Sequence, residues 1–353
     1  MEAYINSSAC ISHYNTIDDH FFFEETSSVA SSNFLFVTPP VYKDHIPANT
    51  IRRTSHILKM GISAGLICLK KNGKNETDAI IVGTAMGCFE DTDKFLRSIN
   101  DNDERMLTPT SFIQSTHNTV AGQLALLVKC HGYNFTYVHQ DLSFEYALLD
   151  ALLLLKEGEA ENILVGGVDE LIPPLCELFE RAGHIKKTED LQKPIWNSDS
   201  KGHIAGEGAA FFNLSGKQTA TSLAKINGVK AIQKINHSDD LSDQSHLFLQ
   251  ELGLKKEDIS LVLSGVSGDL EKDKHLKEFE QGIRLPLAYF KQLCGEYFTA
   301  SSFALWLAAK IIEKQKVPAC VIPAGDAPGK IKHVLIVNHY EDRQYSMICV
   351  SQF

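Results

Sequence analysis

Asp141 holds the position from which this chain could do the most chemistry. It follows Val138-His139-Gln140 and precedes Leu142-Ser143-Phe144-Glu145-Tyr146. The pattern predicts a short strand over 134–140, a sharp turn, and a buried helix over 142–156. A carboxylate there either caps the helix by accepting a backbone N–H of its first turn, or takes part in chemistry. His117 and His139 flank the same region, each a candidate catalytic histidine or a hydrogen-bonded structural one. Ser264 lacks the strand-to-helix context of a hydrolase nucleophile. Gly202, Gly206 and Gly208 do not follow a strand and open a helix, so they are a tight turn entering a strand and not a phosphate loop. The eight cysteines, at 10, 68, 88, 130, 176, 294, 320 and 349, form no CxxC. That excludes zinc or redox spacing and predicts reduced, mostly buried thiols. No metal or cofactor is expected.

The elements that must position these groups alternate between strand and helix. Helices are predicted over 55–70, 111–129 and 142–156. Strands are predicted over 78–87, 134–140, 162–168 and 204–214. Residues 1–50 are irregular, and the polar stretch 215–245 reads as a connection. The order then repeats. The segment 259–268 mirrors 78–87, and the helix 298–314 mirrors 142–156. The segment 319–326 mirrors the strand ending at Gly166-Gly167, and 333–338 starts a closing hairpin. Apolar strands alternating with helices predict an α/β sheet covered on both faces. The repeat predicts two duplicated halves, 1–215 and 216–353.

Composition bounds the function. The chain has 353 residues, 44% hydrophobic and 22% charged, which excludes a disordered chain. A net charge of −10 argues against nucleic acid or an anionic membrane as the main partner. No apolar run approaches the length of a membrane span, about 20 residues. The N-terminus lacks the regions of a signal peptide. A soluble cytoplasmic protein is expected.

Four segments resemble the beta-ketoacyl synthases of fatty-acid and polyketide synthesis. They are 109–123, 148–170 (with Gly166-Gly167), 194–208 (with Gly206-Glu207-Gly208) and Lys291 to Glu296. The resemblance implies a thiolase-like, five-layered αβαβα fold. It also locates the chemistry. Condensation needs a thiolate at the turn, two histidines that stabilise the enolate, and a lysine. Here the nucleophile position is Asp141, and a one-residue slip gives only Gln140 or Leu142. The histidine positions hold Ser264 and Glu296. Asn338 is followed by His339 to Arg343 instead of the family's glycine-rich loop. Lys291 alone is retained.

That pattern is similar to chain-length factors, the ketosynthase-like subunits without a nucleophile, and to short degenerate members associated with aryl polyene and flexirubin-type pigments. The implied partners are an active ketosynthase, an acyl carrier protein docking mainly on that ketosynthase, and its acyl thioester chain. The strand 134–140 would pair across the dimer two-fold. Phe112, Ser115, Thr116, His117 and His139 become candidates for lining the acyl tunnel. The alternative is an acyl-thioester decarboxylase or lyase using Asp141 and Glu296 as a carboxylate pair. Against it stands a structural ion pair in which Lys291 neutralises one of the two.

Overall fold

The computed structural model describes residues 2–52, 54–73, 76–235, 238–323 and 328–353. The first half runs β1 (Ala3–Ile11), β2 (Phe34–Leu35), α1 (Ala48–Ile51), α2 (His56–Lys71), β3 (Ala79–Gly83), α3 (Phe89–Asp101) and α4 (Pro109–Gln114). It continues with α5 (Thr119–Val128), β4 (Tyr133–Tyr137), α6 (Ser143–Glu157), β5 (Asn162–Asp169), α7 (Pro173–Arg181), β6 (Ala205–Gly206) and β7 (Gly208–Ser215). The second half runs β8 (Ala224–Ile232), α8 (Ser238–Glu251), β9 (Leu261–Ser264), α9 (Lys274–Ile283) and β10 (Leu287–Tyr289). It closes with α10 (Lys291–Cys294), α11 (Ala300–Lys314), β11 (His333–Tyr340) and β12 (Gln344–Ser351).

Ten strands join in the order β10-β9-β11-β12-β8-β1-β7-β5-β3-β4. The centre is a seam. There β1 meets β8 antiparallel over three residue pairs. Outward from the seam the order repeats, β1-β7-β5-β3-β4 on one side and β8-β12-β11-β9-β10 on the other.

Side-chain alternation along the strands sorts the core into layers. Ala79 and Ile81 of β3 and Leu261 and Leu263 of β9 share one cluster with α6 and α11. The alternate residues Ile80 and Val82 face α2 and α5. Val262 belongs with Leu241 and Phe248 of α8 and Leu276 and Phe279 of α9. The layers are therefore α2/α5, sheet, α6/α11, sheet, α8/α9, a thiolase-like αβαβα stack. It also explains why α11 is buried nearly all round, from Ala300 to Ile312: sheets press on both sides of it.

Four expectations are corrected. Residues 1–50 are not irregular throughout: Ala3–Ile11 forms β1, a buried strand at the seam. The single helix over 111–129 is two, α4 and α5, broken at 115–118. Ser115 Oγ donates to the Phe112 carbonyl at 2.8 Å and Thr119 Oγ1 to the Thr116 carbonyl at 2.7 Å. Such local side-chain bonds compete with helical ones. The stretch 215–245 is not merely a connection: it contains β8, a strand at the seam. Ile226, buried beside β1, carries the core-facing signal, which the neighbouring lysines 225 and 230 obscure. In the segment 319–326, Ala319–Val321 is a 3-10 turn, and Ala324 to Asp326 lie outside the described residues. The counterpart of β5 is β11. Pro318 and Pro323, which lack an N–H for a ladder, account for the difference.

Candidate functional site

The turn before α6 is built tightly. Ser143 Oγ accepts the His139 N–H at 2.8 Å and donates to the Gln140 carbonyl at 2.7 Å. Gln140 takes a left-handed φ of 48°, a conformation that costs a non-glycine residue energy. Gly83 ends β3 directly beneath. A Cβ there would lie 2.6 Å from the Ser143 backbone, so only glycine lets the turn sit this close. Behind it, Asp169 at the end of β5 ties the parts together. Its Oδ1 accepts Thr84 Oγ1 at 3.0 Å and the Ala85 N–H at 2.8 Å, and its Oδ2 accepts the Thr299 N–H at 3.1 Å beside α11.

Asp141 is not a helix cap. It lies in the 3-10 turn Gln140–Leu142, Leu142 occupies the N-cap of α6, and neither cap makes a side-chain bond. The residue is 6% exposed, and its Oδ1 has no hydrogen-bond partner. Burial, then the nearby Glu296 and Glu145 carboxyls, push the Asp141 carboxyl up to about 8, and Lys291 only partly opposes them. At neutral pH the turn therefore presents a neutral acid.

Lys291 and Glu296 form a buried ion pair at 2.6 Å. Lys291 Nζ also donates to the His339 carbonyl at 2.7 Å. Burial raises the Glu296 carboxyl while Lys291 pulls it back. The cation is thus committed to Glu296, the ion-pair arrangement anticipated for this lysine. Glu145, equally buried, accepts Ser346 Oγ at 2.6 Å and is also raised by burial. Asp141, Glu145, Glu296 and Lys291 make one cluster of three acids and one base.

After Asn338 and His339 the chain makes a tight hairpin. Glu341 and Asp342 both have positive φ, and the Arg343 N–H bonds to the Tyr340 carbonyl at 3.1 Å. Glu341 is held by His184 at 2.9 Å and Lys272 at 2.6 Å, and Asp342 by His275 at 2.7 Å. His339 Nδ1 accepts the Asp342 N–H at 3.2 Å, which leaves Nε2 to donate to Asp273 at 2.9 Å. Tyr340 stacks on Phe298 at 4.8 Å. Beneath these rings, bordered by Glu296, His203 and Met86, is a cavity of about 20 Å³. That is room for roughly one water, not a thioester.

The other anticipated residues lie elsewhere. Ser264 is buried at the end of β9, where it accepts the Val266 N–H at 3.3 Å. Phe112, Thr116 and His117 are exposed and Ser115 half-buried, with Phe112 against Phe95 at 5.2 Å. His139 is exposed, packed on Tyr146 at 4.9 Å. Glu145, Asp169 and the His339–Asp273 pair escaped the sequence reading. So did Glu207, which accepts the Val37 and Leu171 N–H groups and meets His56 at 2.9 Å. The signals available were Asp169 two residues past Gly167, and Glu207 between two glycines. Among the described residues no cluster of three or more potential ligands could hold a metal. No described helix is long and apolar enough to cross a membrane.

Residues 31–188 match the family model of the beta-ketoacyl synthase N-terminal domain. Over those residues the chain is ketosynthase-like. It is 24% identical over 266 residues to a Streptomyces virginiae protein named as polyketide beta-ketoacyl synthase 1, a match covering 68% of this chain. The ketosynthase-like chain spans less than two thirds of that relative, 63% of its length. Among solved structures it is similar to the ishigamide ketosynthase/chain length factor, with TM-score 0.81 and 16% identity over 100% of this chain and 99% of that one. It is also similar to a ketosynthase in complex with its chain length factor from Xenorhabdus doucetiae, with TM-score 0.79 and 15% identity over 99% and 98% of the two chains. At such identities these likenesses establish the fold.

Proposed function

We propose that this ketosynthase-like chain is a non-catalytic, chain-length-factor-like subunit that pairs with an active ketosynthase and shapes its acyl tunnel. The observation that carries the reading is the turn itself. It is tightly built, yet holds a buried neutral carboxyl in place of a thiol. Condensation begins with a thioester to that thiol, and Asp141 offers no stable equivalent. The small cavity beside Glu296 points the same way.

The edge strand β4 supports a partner. It is paired on one side only, to β3. Tyr133, Phe135 and Tyr137 run along it in contact, with ring centroids 6.0 and 5.0 Å apart. Between Arg105 and Asp141 the only Lys, Arg, Asp or Glu is Lys129. An exposed aromatic, charge-depleted surface beside an open edge has the composition of an interface core. By this reading the acyl carrier docks on the active partner, since an acidic carrier gains little from a chain at −10. Aryl polyene or related acyl chains as product and a cytoplasmic location belong to the same reading.

Co-expression with an adjacent ketosynthase, followed by native mass measurement, tests it. A one-to-one heterodimer is expected, and a homodimer alone would overturn the reading. Incubating the isolated chain with acyl carrier thioesters should leave its intact mass unchanged, and a stable acyl adduct would refute it. The raised Asp141 carboxyl keeps the decarboxylase or lyase alternative in view. That alternative requires turnover by the isolated chain, lost in Asp141→Asn. Glu296 being engaged by Lys291 weighs against a free carboxylate pair.

A further inference from the structure

A cleft of about 160 Å³ opens between α8 and α9. These helices form the outer layer of the second half, and a sheet separates them from α6. Val262 of β9 faces α8 and α9, while Leu261 and Leu263 face the α6/α11 layer. The cleft therefore stands apart from the Asp141 turn. Its floor is apolar, made of the buried side chains Leu249, Phe279 and Ile283.

The rim is polar and unanswered. Ser245 lines the cleft and is only 4% exposed, yet among the described residues its Oγ makes no hydrogen bond. A buried hydroxyl without a partner is costly, and a bound acceptor would remove that cost. Lys256, in the turn before β9, and His246, on α8, also line the cleft. Neither has an ion pair or side-chain hydrogen bond among the described residues. No described carboxylate lines it. The mouth is left open by Gly282 of α9. A Cβ there would meet nothing within 4 Å, and alanine would favour the helix.

These features select a ligand. An unpaired ammonium and a free hydroxyl call for an anionic acceptor, and the apolar floor calls for a ring. An engineered apolar cavity of about 150 Å³ holds one benzene, so this volume suits a single ring and is too small for a long acyl chain. Inorganic phosphate would leave the floor bare.

We propose that the α8/α9 cleft binds a small aryl carboxylate, with its ring on Leu249, Phe279 and Ile283 and its carboxylate toward Lys256 and Ser245. The site is additional to the functional reading above and does not depend on it.

The test titrates the full chain with para-fluorobenzoate, followed by fluorine NMR. Saturable binding is expected at about 0.1–10 mM for a ligand of about ten heavy atoms. Para-fluorobenzylamine, of opposite charge, should bind at least about tenfold more weakly, and inorganic phosphate should not displace the benzoate. Lys256→Met should weaken binding about tenfold, and Gly282→Leu, which fills the mouth, should abolish it. Lys255→Met, an exposed neighbour outside the cleft, should leave the affinity unchanged. All three positions are exposed, so melting temperatures should stay near the native value. No saturation within that range, equal affinity for the amine, displacement by phosphate, or native affinity in either Lys256→Met or Gly282→Leu overturns the proposal. The titration uses the chain alone, so its failure leaves the heterodimer reading standing, and failure of the heterodimer leaves this site standing.

Discussion

Replacing Asp141 with asparagine should stabilise the chain, and by an amount that grows with pH. The side chain keeps its shape and loses its proton equilibrium. In the unfolded chain the carboxyl ionises at its ordinary value of 3.8, whereas in the fold it ionises at about 8. Below 3.8 both states are protonated and the two proteins differ little. Between 3.8 and 8 the unfolded state is ionised while the fold must keep the proton, so native stability falls by about 1.4 kcal/mol per pH unit. Above 8 both states are ionised and the slope ends. Asparagine has no such slope. The stability gap should therefore widen by about 2.7 kcal/mol between pH 5 and pH 7, and approach roughly 5 kcal/mol by pH 8. Groups remote from the turn are common to both proteins and cancel in the difference, while Glu145 and Glu296, which sense the Asp141 charge, titrate in part with it. Urea denaturation at constant ionic strength, read by the fluorescence of Trp196 and Trp306, measures the gap. Carbon-13 titration of the Asp141 carboxyl gives an independent value. A gap that stays constant from pH 5 to pH 8 would show that Asp141 is ionised inside the fold, and the account of the turn as a neutral acid would be wrong.

Four further perturbations address the same architecture. Glu296→Gln strands the Lys291 ammonium in the interior and should cost about 3–5 kcal/mol, most of it recovered when Lys291→Met is added, as thermal melts would register. Gly83→Ala puts a methyl group into the Ser143 backbone and should cost more than about 2 kcal/mol with faster amide exchange over 137–146. Gly122→Ala, with nothing within 4 Å of its added Cβ and a helical setting, should be neutral or stabilising by up to about 1 kcal/mol. Phe135→Lys introduces a charge into the aromatic edge and should dissociate the heterodimer in native mass spectra while leaving the isolated chain's melting temperature within about 2 °C.

The helices and strands that pack against one another were legible because their apolar residues recur at the period of the element. The αβαβα stack followed from a family resemblance and not from periodicity. Sequence failed where polar side chains act locally. Ser115 and Thr119 broke a run that reads as one helix, and lysines at 225 and 230 hid a strand at the seam. The Asp141 turn was located correctly, but its chemistry was not. A carboxylate before a helix usually caps it, whereas here the 3-10 turn 140–142 intervenes and Leu142 holds the N-cap of α6. The Lys291–Glu296 pair was anticipated from their positions. The contacts of Asp169, Glu207 and His339 were not, since each joins segments distant in sequence and no local pattern announces such a meeting.

The seam has a consequence for how the molecule is made. The strands beside it are β1 and β8, with β7 and β12 next outward. The middle of the sheet is thus assembled from the earliest strand and the latest. During synthesis β1 emerges with neither of its neighbours available, and β7 arrives roughly two hundred residues later, with β8 close behind. Until then the edge of β1 stays unpaired, an opening for chaperones and for aggregation alike. Because β12 completes its half only after β8, β9, β10 and β11 have been made, that half closes last, and a product lacking β12 would be left with a raw central edge.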